Sequence, residues 1–267
     1  NVQSSVIPGK NGNLPRLDSS LEKGWLNVVG LIPKDFSNNL SFDNLIPLSP
    51  AGSSKYWSLS ALGYVDRGNG DIEFGSSFAA PRVSGAAAAI KSKYSFMNGD
   101  LLRQTILSTA TDIGDPGVDD IYGWGLLDLE KALRGPALFD RRLTQGKDVE
   151  IQLDGGNYGF GNNISGDAGF IKNGAGTLKF TGNLTYTGNT TINDGNLVIK
   201  GVTYNSSSTR IVKGNLVAAA NVNIQNDVQN EGGNFEVEGS NVTLGPTGLN
   251  NGGNTITNVA PGVNNND

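Results

Sequence analysis

The sequence predicts two parts of different class: an α/β part up to about residue 139, then an all-β part built as a right-handed parallel β-helix. Three observations carry this. Before residue 135 the apolar segments are long enough for buried strands and full helices. After residue 150 they shrink to about four residues, alternate in polarity and are punctuated by Gly or Asn. The composition shifts with them: residues 1–150 hold 9 Asn and 8 of the 10 Pro, and residues 151–267 hold 23 Asn. Helical signals stop near Leu133, and Gly135-Pro136 punctuates the change, so a boundary falls between Gly135 and Gln145.

In chain order, Trp25 to Leu31 reads as a short buried strand and Lys55 to Ala61 as a second. A helix over Ser77 to Lys93 is almost entirely small and apolar (Ala79, Ala80, Gly85, Ala86 to Ala89), which predicts burial all round. A second helix runs from about Asn98, a fair N-cap, to Ala110 with one apolar face. A third, short helix over Leu126 to Leu133 closes the first part. The second part offers Thr177–Phe180, Thr190–Asn193, Asn196–Ile199, Val222–Gln225, Phe235–Glu238 and Val242–Leu244 as strands. Each places an apolar residue inward at every second position, and Asn and Gly suit left-handed corners between them. A disordered, Asn-rich linker is the alternative. The alternation fades after Gly245, and Ser206-Ser207-Ser208 reads as a solvated loop.

Composition excludes several chemistries. The 267 residues contain no Cys and no His. Disulfides, thiolate metal sites and thiol nucleophiles are therefore absent, as are an imidazole base and a complete Ser-His-Asp triad within these residues. A formal net charge of −5 argues against nucleic acid as a partner. Residues 1–20 show no signal-peptide pattern, and the longest near-apolar stretch, Ala79 to Ile90, is too short to span a bilayer. Asp112, Asp115, Asp119 and Asp120 fit no calcium-loop spacing, and neighbouring Gly114, Pro116 and Gly117 read as a turn, so no metal is expected. No cofactor motif is present. Trp57 and Trp124 read as core residues.

Chemistry concentrates in Gly75-Ser76-Ser77-Phe78-Ala79-Ala80-Pro81-Arg82-Val83-Ser84-Gly85. Ser77 follows a Gly turn at the start of a helix, where the dipole favours negative charge. First-turn N–H groups lack intrahelical partners and can donate to an oxyanion. Pro81 is expected in the first turn, where it is tolerated. An N-cap serine opening a buried helix explains the same pattern without catalysis.

This stretch resembles the serine box G-T-S-x-A-x-P of subtilisin-like serine proteases, with Ser76 in place of Thr. Under the resemblance Ser77 is the nucleophile and its own N–H one oxyanion donor. Arg82 stands where many secreted members have His, and Arg occurs in the autotransporter branch. Trp25 to Leu31 resembles the family's preceding strand, and Ser60-Ala61-Leu62-Gly63 its A-P-G turn, with Leu62 replacing Pro. Leu107 to Gly114 and Asp119 to Asp128 resemble the segments after the serine box. The family order Asp, His, Ser places acid and base before Ser77. None of Asp18, Asp35, Asp43, Asp66 and Asp71 lies in the family's Asp motif, so Asp, His and oxyanion Asn are expected before Asn1.

Residues 174–201, from Gly174-Ala175-Gly176-Thr177-Leu178 through Tyr186-Thr187-Gly188 to Asn196-Leu197, resemble the passenger-associated repeat of autotransporters, whose repeats form β-helix coils. Only one full copy is clear. The two resemblances imply residues 1–139 as the C-terminal part of a subtilisin-like peptidase and 140–267 as a passenger segment. They imply a surface or extracellular location at the bacterial outer membrane, an outer-membrane β-barrel translocator as partner, and protein or peptide substrates. Such a segment is expected to be inactive alone. The rival readings are a non-catalytic adhesin or scaffold with a degenerate subtilisin-like module, and a β-helix binding module with an accidental serine box.

Overall fold

The computed structural model describes residues 10–35, 42–68 and 71–253. Asn1, before which the missing triad is expected, lies outside the described residues. The chain divides into two compact units. One holds the described residues to Lys147 together with Phe160–Gly166; the other holds Asp148–Gly159 and the described residues from Asp167 onward.

The first unit is α/β. A three-stranded sheet runs in the order β2 (Leu45–Pro47), β1 (Asn27–Pro33), β3 (Ser58–Leu62). The β1–β3 pair is parallel and β1–β2 antiparallel. Each expected strand is displaced toward its C-terminal end, the second because Lys55 to Trp57 finish a 3₁₀ turn over Gly52–Trp57. The Ser60-Ala61-Leu62 segment, expected as a turn, is the end of β3. Its outer edge is closed by Leu126, bridged to both Ser60 and Thr111 rather than lying in the expected helix. Val29, Leu31, Leu45, Ala51 and Ile113 form a buried cluster on this sheet. A short hairpin, β4 (Tyr64–Asp66) and β5 (Ile72–Phe74), follows.

Two helices invert the expectation from their sequences. The nearly apolar α1 (Ser76–Lys93) packs on β1 and β3. It buries only the stripe Ala79, Val83, Ala86 and Ile90, so burial all round is not found. Ala80, Ser84 and Ala88 are exposed instead, and Gly85 has open space where a Cβ would stand. The amphipathic α2 (Gly99–Thr109) is buried at every position from Leu101 to Thr109 except Leu102. Its buried threonines are tolerated because their hydroxyls bond back to the helix. Thr105 Oγ1 donates to the Leu101 carbonyl at 2.8 Å and Thr109 Oγ1 to the Thr105 carbonyl at 2.7 Å. Asn98 caps the helix as expected, accepting from the Leu101 N–H at 2.8 Å. A third helix, α3, is a single turn, Leu129–Ala132.

Arg103, only 2% exposed, is the largest fully buried side chain among the described residues. Its Nη2 donates to the Leu143 carbonyl and to Asp100 Oδ1. Its Nη1 lies 3.7 Å from Glu22 Oε1. Glu22 is itself buried and takes a bidentate pair from Arg142, at 2.7 and 3.1 Å. The Arg142 guanidinium lies 4.6 Å over the Tyr56 ring. This cluster ties α2 to the 3₁₀ turn Ser19–Gly24 and to the segment at Arg142-Leu143.

The second unit is a parallel β-solenoid of about five turns. One sheet stacks Val149–Gln152, Phe170–Asn173, Thr190–Ile192, Ser208–Ile211, Asp227–Asn230 and Leu249–Asn250. A second stacks Asn157–Phe160, Thr177–Phe180, Asn196–Ile199, Asn215–Ala218 and Asn234–Val237. A third holds Thr203–Tyr204, Val222–Ile224 and Val242–Leu244. Leu178, Leu197, Leu216 and Phe235 stand in one inward column and Phe180, Ile199, Ala218 and Val237 in another. Ser208 opens a strand and Ser206 is buried, so the expected solvated loop at 206–208 is corrected. A strand also occurs past Gly245, at Leu249–Asn250, where the alternation reads as lost.

Asn does more here than turn corners. Asn221 and Asn241 adopt left-handed φ values of 55° and 60°. Most others form ladders between coils. Asn234 Nδ2 donates to Asn215 Oδ1 at 2.9 Å and Asn215 Nδ2 to Asn196 Oδ1 at 2.7 Å, each across 19 residues. A second ladder runs from Asn193 through Asn173 to Glu150. The fully buried Lys172 caps a corner: its Nζ donates to the carbonyls of Gly174, Asp194 (3.1 Å) and Asn173 (3.3 Å). Burial lowers its pKa to about 8, with Asp194 opposing the shift.

Two outcomes follow from these buried charges. Glu22→Ala removes the buried carboxylate that Arg142 pairs with and that lies beside Arg103, and should lower the unfolding free energy by about 3 kcal/mol. Urea titration reads this as a fall in midpoint; an unchanged midpoint would show that the cluster does not stabilise the fold. Lys172 sets a pH dependence. Between its folded value of about 8 and the ordinary 10.5 the unfolded chain holds more protons, so stability rises with pH. Above the ordinary tyrosine value of 10.0 it falls, because burial holds the Tyr186 phenol protonated while the unfolded chain ionises. Thermal unfolding followed by circular dichroism should show the rise from pH 8, and Lys172→Met should remove that rise while leaving the fall.

Candidate active-site serine

Three glycines and a helix start position Ser77. Gly30 in β1 leaves room for α1: a Cβ there would lie 3.1 Å from Ser76 Cα. Gly63, just past β3, would bring a Cβ to 3.0 Å from Gly30 Cα and 3.2 Å from the Gly75 carbonyl. The backbone joins the same points, since the Gly63 N–H donates to Leu31 and the Gly75 N–H to Gly63, both at 2.7 Å. The end of the sheet and the start of the helix therefore meet backbone to backbone. A Cβ at either glycine is tighter than an ordinary contact, so the main chain at Gly30, Gly75 and Ser76 would have to give by a few tenths of an ångström.

Gly75 is the helix N-cap and makes no side-chain cap. Ser76 and Ser77 are the first two helical residues, so their N–H groups lack intrahelical acceptors. The Phe78 N–H turns back to the Gly75 carbonyl at 3.0 Å. Ser77 is exposed. Its hydroxyl stands at the positive end of an 18-residue helix. Pro81 lies inside the helix rather than in its first turn. Lacking an N–H, it leaves the Ser77 carbonyl without its helical partner, which exposure to water makes tolerable.

The other sequence candidates are placed differently. Arg82 Nη2 donates to the Tyr64 carbonyl at 2.9 Å and so fastens β4 to the helix. Asp18 accepts from Ser20, which holds its carboxyl below the usual range, and Asp66 accepts from the Gly68 N–H. Asp112 accepts from the Gly117 N–H, and Asp119 Oδ1 from the N–H groups of Ile121 and Tyr122. Asp120 pairs with Lys55 at 2.9 Å. Among the described residues these acids form no group able to hold a metal ion. Trp57 is buried with its Nε1 on the Gly12 carbonyl, whereas Trp124 is half-buried with its Nε1 on the Tyr56 carbonyl. No helix among the described residues is long and apolar enough to cross a membrane.

Residues 4–125 match the subtilase family, and residues 170–199 match the passenger-associated transport repeat. The chain is 46% identical over 147 residues to the Neisserial autotransporter lipoprotein NalP of Neisseria meningitidis serogroup B, covering 54% of this chain and 13% of that protein. It is 33% identical over 158 residues to an extracellular serine protease of Serratia marcescens, covering 48% of this chain and 15% of that one. A second protein of that name from the same organism is 29% identical over 249 residues, covering 72% of this chain and 24% of that protein. The chain thus spans a quarter or less of each of these relatives. The serine box, the seat beneath it and these matches make the N-terminal part similar to the subtilase family, and a parallel β-solenoid that matches an autotransporter passenger repeat follows it.

Proposed function

We propose that Ser77 is the nucleophile of a serine endopeptidase, hydrolysing peptide bonds through an acyl-enzyme. The observation that supports this most is the exposed hydroxyl at a helix start seated on Gly30 and Gly63. Attack of Ser77 Oγ on the scissile carbonyl forms the C–O bond and sends negative charge to the carbonyl oxygen. The Ser77 N–H and the helix dipole stabilise that charge. The serine proton must pass to a general base and then to the leaving amine. The 267 residues contain no His. On this reading the base, the Asp that orients it and the oxyanion Asn belong to polypeptide outside them, and these residues alone do not turn over substrate.

Residues 1–139 then act as part of the peptidase and 140–267 as part of a passenger. Surface or extracellular display through an outer-membrane β-barrel follows from the passenger repeat and from the autotransporter named among the relatives.

A fluorophosphonate probe should label the natural full-length protein, and Ser77→Ala should abolish the label. The same change should lower kcat on casein by about 10⁴-fold or more. Wild-type turnover by Ser77→Ala overturns the nucleophile assignment. Absence of label on the full-length protein favours an adhesin or scaffold instead.

A further inference from the structure

The outward face of the five-stranded solenoid sheet carries a trough of about 660 Å³ that the peptidase reading does not use. Register defines it. Lys179, Val198, Val217 and Glu236 pair strand to strand, so they form one column. They alternate with inward-facing Leu178, Leu197, Leu216 and Phe235 and so point outward. Beside this column runs the hydrogen-bonded ladder of Asn196, Asn215 and Asn234. Val217 is only 4% exposed despite pointing outward, which makes the centre of the trough a recessed apolar floor.

Charge sits at the two ends of that floor. Lys179 lines one end and Glu236 and Glu238 the other. None of the three is in an ion pair with a described residue, although charged neighbours elsewhere on the same solenoid do pair, as Arg210 does with Glu231 at 2.8 Å. Both glutamates are exposed. A recessed apolar floor that leads to two unpaired carboxylates suits a side chain with an aliphatic stem and a cationic head. The ladder amides keep unused donor and acceptor capacity and can bond the backbone of an extended chain.

We propose that this trough docks an extended segment of a partner polypeptide bearing Arg or Lys. The stem lies over Val198 and Val217 and the cation rests between Glu236 and Glu238. An acidic group further along the segment meets Lys179. Charge complementarity selects this occupant over a neutral glycan, which would leave both carboxylates unpaired.

The test uses the 267-residue chain and a fluorescein-labelled Ser-rich peptide carrying Arg toward one end and Asp toward the other, followed by anisotropy. Binding should be saturable and weaken with salt. Glu236→Gln with Glu238→Gln should weaken it at least tenfold, and Val198→Lys should do the same by placing a cation on the floor. Asp115→Asn with Glu130→Gln removes the same charge from exposed sites elsewhere and should leave binding unchanged, as should Ser77→Ala. Equal loss in both double variants would reduce the effect to net charge and overturn the site. Absence of binding, or binding of a neutral oligosaccharide at the trough instead, would also overturn it.

Discussion

A buried polar group is costly without a partner, and this constraint shapes both units alongside the apolar core. With 37% hydrophobic residues and 17% charged ones, the chain fills much of its interior with hydroxyls, amides and a few ions. Every such group loses water on folding and is costly unless re-bonded. In the first unit, Thr105 and Thr109 bond back to their own helix, which is why a helix of mixed composition can be the buried one. Arg103 is paid the same attention by Leu143, Asp100 and Glu22. In the solenoid, ladders of Asn satisfy one another coil by coil, and Lys172 closes on three carbonyls. Tyr186 and Tyr204, both buried, bond Thr190 and Thr209.

The same constraint decides what was legible in the sequence. Strand existence after residue 170 was readable, because alternation reports inward and outward positions directly. The serine box was readable because it is a short contiguous run, Gly75 to Pro81, with a recognisable spelling. Helix burial was not. Composition describes what a helix could bury, whereas α1 buries one stripe and leaves Ala80, Ser84 and Ala88 open. The buried ions were also invisible, since Glu22 and Arg142 are 120 residues apart. One signal could have been found. Gly195-Asn196-Leu197-Val198, Gly214-Asn215-Leu216-Val217 and Gly233-Asn234-Phe235-Glu236 recur at the 19-residue step of the ladder, so the repeat has more copies than its family spelling reveals. Ser206 shows the converse. Three serines in a row read as solvent-facing, yet Ser206 is buried and accepts from Asn226 Nδ2 at 2.9 Å.

At Ser77 the fold supplies position but not reactivity. Glycines let sheet and helix touch backbone to backbone, which fixes where the hydroxyl stands to within the stiffness of the main chain. A helix start offers free N–H groups and a favourable field. Neither removes the serine proton. A neutral hydroxyl at neutral pH is a weak nucleophile without an adjacent base. On the proposed reading, part of the electrophile-stabilising half of a site is built into these residues, while its proton-transfer half and the oxyanion Asn must be brought to it.

Parallel stacking explains why the solenoid trough is polarised. Strands in register lie about 4.8 Å apart, so a residue in an outward column faces the same column one coil away. Like charges in successive coils would repel at that distance. A column can be filled in the middle by groups that tolerate their own kind, such as Val198 beside Val217 or Asn196 beside Asn215, and amides gain from it by bonding in series. Charges are then best placed on either side of that uncharged stretch, as Lys179 and Glu236 are. Separated by two uncharged coils, they are too far apart to neutralise each other. The repeat that stabilises the stack thus leaves an uncharged floor with opposite charges at its ends, and a ligand must match that order to bind.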